Sequence, residues 1–311
     1  MADPDAGGWS GGGAASDARA SLGVRLVRRF GRMIGLTAVV ACGCATAETE
    51  QAWRTTSAAR PRDASDSLHL RVNLTGGSLR VSPADDGELY DYSMRYDAAH
   101  YNVERNFDST SHTLTLRLDG GRRPFRGFSG DGEERARLSL GVARGVPLDV
   151  ALRLGAVEAD LDLGGLAVDQ LTVESAASST ALRFATPNPR RMRSLRFDVG
   201  AASIEATGVG NANVEHIDVD CGAGALTLDF SGAWASDVDA RLRVRLGAVT
   251  LRVPRDVGVR ARADVTLGTF DHDGFREQDG VHYSANWEGA KRRLTIDASM
   301  LVGTLEIERI D

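Results

Sequence analysis

The chain has 311 residues, of which 42% are hydrophobic and 26% charged, so it can bury a sizeable core and is not a disordered chain. Its net charge is −6 and Lys291 is its only lysine, which argues against a general nucleic-acid-binding protein. Glycine is frequent, with 35 residues, and indicates repeated tight turns.

Residues 1–42 are predicted to form a leader with a signal peptide of the bacterial lipoprotein type. An arginine-rich stretch, 25–32, precedes the apolar run Met33–Ala41, which is far shorter than the ~20 residues of a membrane-spanning helix. The run ends in Val39-Val40-Ala41-Cys42, which resembles a lipobox. Cys42 is therefore the predicted lipidation site, with Cys44 as second choice, and a cleaved secretory peptide is the alternative. This interpretation places the protein outside the cytoplasm, held on the bilayer by acyl chains, in the outer membrane if the host has two membranes.

Three further segments are expected after the leader. Polar residues 43–67 are predicted to be a flexible tether, 68–149 a less regular β part that caps one end of the domain, and 150–311 a β-solenoid. The final stretch, Leu294–Ile310, is expected to close the other end. Two of the three cysteines lie at the lipid site, so Cys221 has no evident mate, and neither a disulfide framework nor a cofactor or metal cluster can be drawn.

A repeat of 21–25 residues organises the chain from residue 150 onward. Six short alternating stretches each end at a small residue: Gly155, Ala176, Gly200, Gly222, Gly247 and Gly268. The positions one, three and five residues before each of them are apolar in all cases but Ser175, and the interleaved positions are polar in all cases but Ala151. This period of two predicts strands with one face inward, and a repeat in the low twenties predicts a solenoid.

After each small residue the alternation changes phase. The steps from Leu154 to Val157, from Leu246 to Val249 and from Leu267 to Phe270 are three residues instead of two. Because an odd step turns the side chains over unless the backbone bends, the pattern predicts a glycine corner between two short strands in each coil. The fold class predicted from the repeat is all-β, a β-helix or β-solenoid with parallel stacking of coils and β caps at its ends.

Five motifs carry a resemblance to a known family. They are Gly76-Gly77-Ser78-Leu79-Arg80-Val81, Val146-Pro147-Leu148-Asp149, Asp162-Leu163-Gly164-Gly165-Leu166, Pro187-Asn188-Pro189 and Leu228-Asp229-Phe230-Ser231-Gly232. With them, residues 68–311 resemble the toast-rack and candidate-adhesin family of bacterial envelope proteins, and also the C-terminal domain of LiaF-type envelope-stress regulators. The resemblance implies a right-handed single-stranded β-helix and no catalytic motif.

Stacking the coils predicts an outward acidic column. It contains Glu174, Asp198 and Asp220, flanked by Arg153 and Arg245, beside a column of alternating charge, Arg196, Asp218, Arg243 and Asp264. Adjacent strands lie ~4.8 Å apart, so the acidic column stacks like charges and could hold a divalent cation or a basic segment of a partner. The alternative is that diagonal arginines neutralise the acids and set only the register.

Two other clusters have functional side chains. Asp271, His272 and Asp273, with His282, are residue types that bind metals, although a polar loop after the last coil is the favoured interpretation. The segment Arg122, Arg123, Pro124, Phe125, Arg126, Gly127 and Phe128 has the composition of an interface, or of an ordinary solvated loop.

The function predicted is non-enzymatic: a lipid-anchored envelope protein whose solenoid presents a binding surface for a protein partner in envelope-stress signalling. The first alternative is a surface adhesin that binds glycan or matrix. The second is a polysaccharide-active enzyme, such as a calcium-assisted lyase working on the acidic column. The oligomeric state does not follow from the sequence.

Overall fold

The fold is built almost entirely of β-strands in the computed structural model, which describes residues 52–63, 67–84, 87–120 and 135–311. A 3₁₀ turn, Val209–Ala212, is the one helical element among them, and none of these residues belongs to a helix that could span a membrane. The strands are β1 (Trp53–Pro61), β2 (Leu68–Pro83), β3 (Glu88–Asp97), β4 (Tyr101–Asp108), β5 (Thr113–Gly120), β6 (Arg137–Val142), β7 (Leu148–Asp162), β8 (Val168–Arg183), β9 (Met192–Thr207), β10 (Val214–Asp229), β11 (Val238–Pro254), β12 (Gly258–Asp271), β13 (Phe275–Gln278), β14 (Val281–Ser284) and β15 (Arg293–Ile310).

Eight long parallel strands stack side by side and form the body of the domain. Their order is β2-β7-β8-β9-β10-β11-β15-β12, and each runs through its corner without a break. The all-β solenoid class predicted from the sequence is thus confirmed. In place of the two short strands predicted for each coil, one continuous strand of 14–18 residues runs through the corner. We call the part of each strand before the corner its first leg and the part after the corner its second leg.

The core lies between the two legs and is lined by the predicted inward rows. On the first leg, Leu152, Val173, Phe197 and Val219 are in register and buried. Buried aliphatic rows of this kind contribute most of the stability of a solenoid, about 1.5–3 kcal/mol per fully buried Leu, Val or Phe side chain. The predicted step of three is also present in the first coils, where Leu154 and Val157 are both buried.

The corner of the last coils differs from the prediction. Gly247 pairs with Gly224 and not with Gly222, so the buried positions of β11 are Val244 and Val249, five residues apart. Leu246 and Leu267, predicted to point inward, are 53% and 64% exposed. The physical reason is a glycine row, Gly224, Gly247, Gly303 and Gly268, in which the backbones of successive coils touch where an inward side chain would otherwise be.

The N-terminal end carries a β cap that contains both parallel and antiparallel pairs. On the outer side of β2, β5 pairs with the first leg and β6 with the second, and β4 and β3 pair with them in turn. Strand β2 itself is a full coil in register with β7, so the parallel stack starts at Leu68 and not at 150.

The predicted tether is wrong for residues 53–61, which form β1. This strand pairs antiparallel with β3 along its whole length. Its side chains are polar and mostly exposed, because an edge strand can be held by backbone hydrogen bonds without contributing to the core. The alternation used to find the other strands is therefore absent from it.

The C-terminal end is closed by β12 and a hairpin, not by the last strand. β15 inserts between β11 and β12, parallel to both, so the predicted position of Leu294–Ile310 at the end of the stack is wrong. The hairpin β13–β14 pairs with β12 at Arg260 and Ala261. β12 and β15 carry the same alternation and the same corner glycine, so their order in space cannot be read from the sequence.

Candidate binding surface

The acidic column forms as predicted on the outer face of β7 to β10. Arg153, Glu174, Asp198 and Asp220 occupy consecutive positions of the same row. The next member of the row is Arg243, because β11 is shifted by two residues relative to the prediction. Arg245 lies beside Gly222 and reaches Asp220 only diagonally, with Nη2 3.9 Å from Oδ1.

Most of these carboxylates are neutralised by arginine. The Nε of Arg153 lies 3.0 Å from Oε2 of Glu174, and the Nε of Arg243 lies 3.6 Å from Oδ2 of Asp220. Asp198 stands between these two pairs and has no ion-pair partner within the described residues. The row therefore combines the two predicted interpretations: arginines neutralise its ends, and its centre keeps one exposed, unpaired carboxylate.

A groove lies along this row at the corner. It is a shallow, open depression of about 530 Å³, lined by the row residues Asn73, Arg153, Glu174 and Asp198 together with residues of the corner. We call it the corner groove. Its rim offers one free carboxylate and several hydrogen-bonding groups, which suits a basic or hydroxyl-rich ligand.

The neighbouring column alternates in charge, with partly different members. Arg196 is followed by Asp218, Arg241, Asp297 and Arg262. The predicted Arg243 and Asp264 belong to the acidic row instead, for the same two-residue shift. Opposite charges on adjacent strands favour this register, although pairs as exposed as Arg241 and Asp218, 4.0 Å apart, contribute little to stability.

The predicted metal cluster brings two imidazoles together. The ring centroids of His272 and His282 are 4.1 Å apart, and Phe270 contacts both rings at 4.4 and 5.0 Å. Burial, followed by the neighbouring His272, lowers the pKa of His282. Asp271 and Asp273 are exposed, and across the described ranges no three His, Cys, Asp or Glu side chains converge as metal ligands. The two imidazoles and the Phe270 ring thus form an aromatic cluster, and Phe270 packs against the core. We call these three residues the plug.

Other predicted sites lie outside the described residues. They are Cys42 and Cys44 of the leader and the interface-like loop with Arg122, Arg123, Phe125, Arg126 and Phe128. The third cysteine, Cys221, is free and buried between Val199 and Val244, and burial raises the pKa of its thiol.

The sequence analysis missed an exposed apolar ridge near the C-terminal end. Leu246, Val302 and Leu267 are in register across β11, β15 and β12, and Leu301 adjoins them. Leu246, Leu267 and Leu301 are 53%, 64% and 54% exposed. We call these three residues the leucine ridge. The sequence does contain a signal for this ridge. Gly222 and Gly224 are two residues apart, and taking Gly224 as the corner residue would have moved Leu246 off the inward row.

Comparison with known families fits this architecture. The family model for the N-terminal domain of toast_rack, DUF2154, matches residues 47–207, more than half of the chain. The chain belongs to the toast-rack family. The model for the C-terminal part of LiaF, described by its cell wall-active antibiotics response, matches residues 204–307. The toast-rack family assignment made from the five motifs is thereby confirmed.

The solved structures to which the chain is similar are distant in sequence. A candidate cell adhesion protein from Clostridium sporogenes is 15% identical, with a TM-score of 0.42, over 83% of this chain and 100% of its own. A candidate adhesin from Bacteroides fragilis is 12% identical, with a TM-score of 0.38, over 82% and 96%. A candidate lipid-binding protein from Parabacteroides distasonis is 10% identical, with a TM-score of 0.34, over 84% and 98%. The comparison with curated proteins returned no significant match.

Proposed function

We propose that this toast-rack protein is a non-enzymatic, lipid-anchored component of the bacterial envelope that binds a protein partner in envelope-stress signalling. The observation that carries the proposal is the match of residues 204–307 to the C-terminal part of LiaF, a family described by its response to cell wall-active antibiotics. The lipobox-like Val39-Val40-Ala41-Cys42 supports the anchor. Acyl chains on Cys42 would hold the domain at the bilayer surface.

The corner groove is the proposed partner site. Its lining residues lie on parallel strands paired in register, so their backbone positions are already ordered before a partner binds. Asp198 is the one carboxylate of the row without an arginine among the described residues, and a basic side chain of a partner would neutralise it. Glu174, already paired with Arg153, lines the groove beside it.

In-cell cross-linking of the tagged protein in its native host, followed by mass spectrometry, tests this proposal. Three forms are compared with the native chain: the unanchored double variant Cys42→Ser, Cys44→Ser; Asp198→Arg in the groove; and Glu205→Arg as control. Glu205 is exposed on the other leg of β9, so its reversal changes the net charge by the same amount outside the groove.

A sensor or regulator of the envelope recovered with the native and Glu205→Arg forms, and lost with Asp198→Arg and the unanchored form, is the expected result. Recovery of glycan or abundant wall proteins only would contradict signalling and support the adhesin alternative. The mass of the N-terminal peptide reports lipidation directly, because acyl chains on Cys42 add a mass that Cys42→Ser removes.

A further inference from the structure

The C-terminal end of the stack exposes a sheet edge that lacks a neighbouring strand. β12 pairs with β15 on one side as far as Asp271. On its other side β14 pairs only with Arg260 and Ala261. Within the described residues, the backbone of 262–271 therefore has one free edge. Unpaired N–H and C=O groups along such an edge are a template for another strand.

This edge has few of the features that keep sheet edges from pairing. Residues 263–270, ADVTLGTF, include one charged side chain, Asp264, and no proline or basic residue. The outer strands at the opposite end are different: β1 carries Arg54, Arg60 and Pro61, and β4 carries three charged residues in eight. Charges and proline are the usual means of blocking edge-to-edge association. Arg262 and Asp271 lie at the two ends of the free edge, but the stretch between them has only Asp264 as a charged residue and no proline, so this central stretch is open to pairing.

The shape of the edge restricts what can occupy it. Gly268 continues the glycine row of the preceding coils, so β12 bends at the corner as they do. A straight extended peptide could pair with only one leg. A strand with the same corner can follow both legs, and the described structure offers one such exposed strand: β12 of a second copy, turned by a two-fold axis through the corner.

The leucine ridge leads to this same edge. Leu267 lies on β12 itself and is 64% exposed, and Leu301 and Leu246 follow on the next two strands. A two-fold axis at the corner would bring the ridges of two copies into contact and cover both Leu267 side chains. Exposed leucines on three adjacent strands beside a free sheet edge indicate a candidate interface.

We propose that two copies of the chain form a symmetric dimer through their C-terminal ends, with residues 265–271 of β12 paired antiparallel to their counterparts about Gly268. Closed two-fold dimers of this type use the same patch on both subunits, and the pairing occupies this part of the free edge. The dimer does not rest on the proposed signalling function, and the corner groove remains exposed in it, because the groove lies on β2 and β7 to β9.

Light scattering after size exclusion tests the oligomeric state. The full chain carries Cys42→Ser and Cys44→Ser, so that acyl chains cannot cause association. This form is expected to have twice the mass of one chain. Leu267→Asp is expected to weaken dimerisation roughly tenfold to a hundredfold, the equivalent of losing one buried leucine. Leu267 is exposed in the monomer, so the variant should fold, which its far-UV spectrum and melting temperature verify.

Cross-linking locates the interface. In the same background, Thr266→Cys lies beside the proposed two-fold axis and should give a covalent dimer with a short bis-maleimide. Ser203→Cys, exposed on a central coil, should give none. Either a monomer at all accessible concentrations or a dimer that survives Leu267→Asp and cross-links equally at both positions would overturn the proposal.

Discussion

Gly247 packs against Gly224 so closely that a Cβ atom on Gly247 would lie 1.8 Å from the carbonyl oxygen of Gly224. Both residues have φ near +150°, a conformation that other residues rarely adopt. The same contact recurs between Gly303 and Gly247, at 1.8 Å, and between Gly268 and Gly303, at 1.7 Å. Four consecutive strands thus depend on glycine at the same row for their spacing.

We expect Gly247→Ala to lower the free energy of unfolding by about 2–4 kcal/mol, because the added methyl group forces the coils apart at a strained φ. Urea denaturation followed by circular dichroism measures this change. Gly289→Ala is the control: its Cβ would meet nothing within 4 Å and its φ is ordinary. Its effect should stay within about 0.5 kcal/mol. Equal effects of the two variants would contradict this account of the corner.

The inward rows of the solenoid could be predicted from the sequence, but the position of the corner in β10 could not. Alternation places Leu152, Val173 and Phe197 inward because the period of a strand is two and one face is buried. At Gly222-Ala223-Gly224 the alternation stops, and either glycine satisfies it. The choice depends on contacts with neighbouring coils 22–23 residues away, which no local pattern contains.

The acidic row was predictable from the sequence up to the corner of β11, but not beyond it. Glu174, Asp198 and Asp220 align because their coils share one phase, whereas Arg245 was misplaced by the two-residue shift at the corner. The sequence could not predict that Asp198 lacks an ion-pair partner. Ion pairing depends on which arginine side chains extend far enough to reach a carboxylate on the adjacent strand.

Asn188 joins three coils through its buried side-chain amide. Its Nδ2 donates hydrogen bonds to the carbonyl oxygens of Val168, at 2.8 Å, and Ala212, at 3.1 Å, and its Oδ1 accepts one from the backbone N–H of Arg190, at 3.0 Å. The residue is 4% exposed, so these groups have little access to water if the amide is removed.

Asn188→Ala is therefore expected to destabilise the protein by roughly 2–4 kcal/mol, since several buried polar groups lose their partner at once. The melting temperature and urea midpoint report the loss. Asn106→Ala, at an exposed position of β4, serves as the matched substitution and should change neither by more than about 0.5 kcal/mol. A loss no larger than this for Asn188→Ala would mean that water replaces the amide.

Asp97 fixes the end of β3 against the segment before β1. Its Oδ1 accepts hydrogen bonds from the backbone N–H groups of Ala52 and Ala99, both at 2.9 Å, and Oδ2 accepts one from His100. Burial acts to raise the pKa of this carboxyl, but the hydrogen bonds outweigh it and hold the pKa below its ordinary value of 3.8.

A carboxyl with a lowered pKa contributes stability above its unfolded pKa and loses it as the pH falls through the folded value. We expect Asp97→Asn to cost about 1–3 kcal/mol at about pH 7. Between about pH 4 and about pH 2, the native chain should lose more stability than the variant. Thermal melts across this range measure both effects, and parallel curves for the two proteins would refute the assignment.

His282 gives the opposite end of the domain a different pH dependence. Its pKa is lowered mainly by burial and then by His272, while Glu277 opposes the shift. The other charged groups around the plug are the exposed Asp271 and Asp273 beside it and Arg309, whose guanidinium lies 5.9 Å from the Phe275 ring.

Because the folded state binds this proton less well than the unfolded state, stability is complete above the ordinary pKa of 6.5 and falls as the pH drops below it. His282→Gln should reduce the difference in melting temperature between about pH 7.5 and about pH 5. His216→Gln, exposed on β10, provides the comparison and should leave that difference closer to the native value. An unchanged pH dependence in His282→Gln would exclude the plug as its source.

The insertion of β15 between β11 and β12 means that the order of synthesis differs from the order in space. β12 leaves the ribosome before β15, the strand that separates it from β11. The interior of the sheet is thus completed by a late segment of the chain. A chain cut short before Arg293 would lose an internal layer, and with it the strand with which both β11 and β12 pair. Correct assembly of the C-terminal half therefore depends on completion of β15.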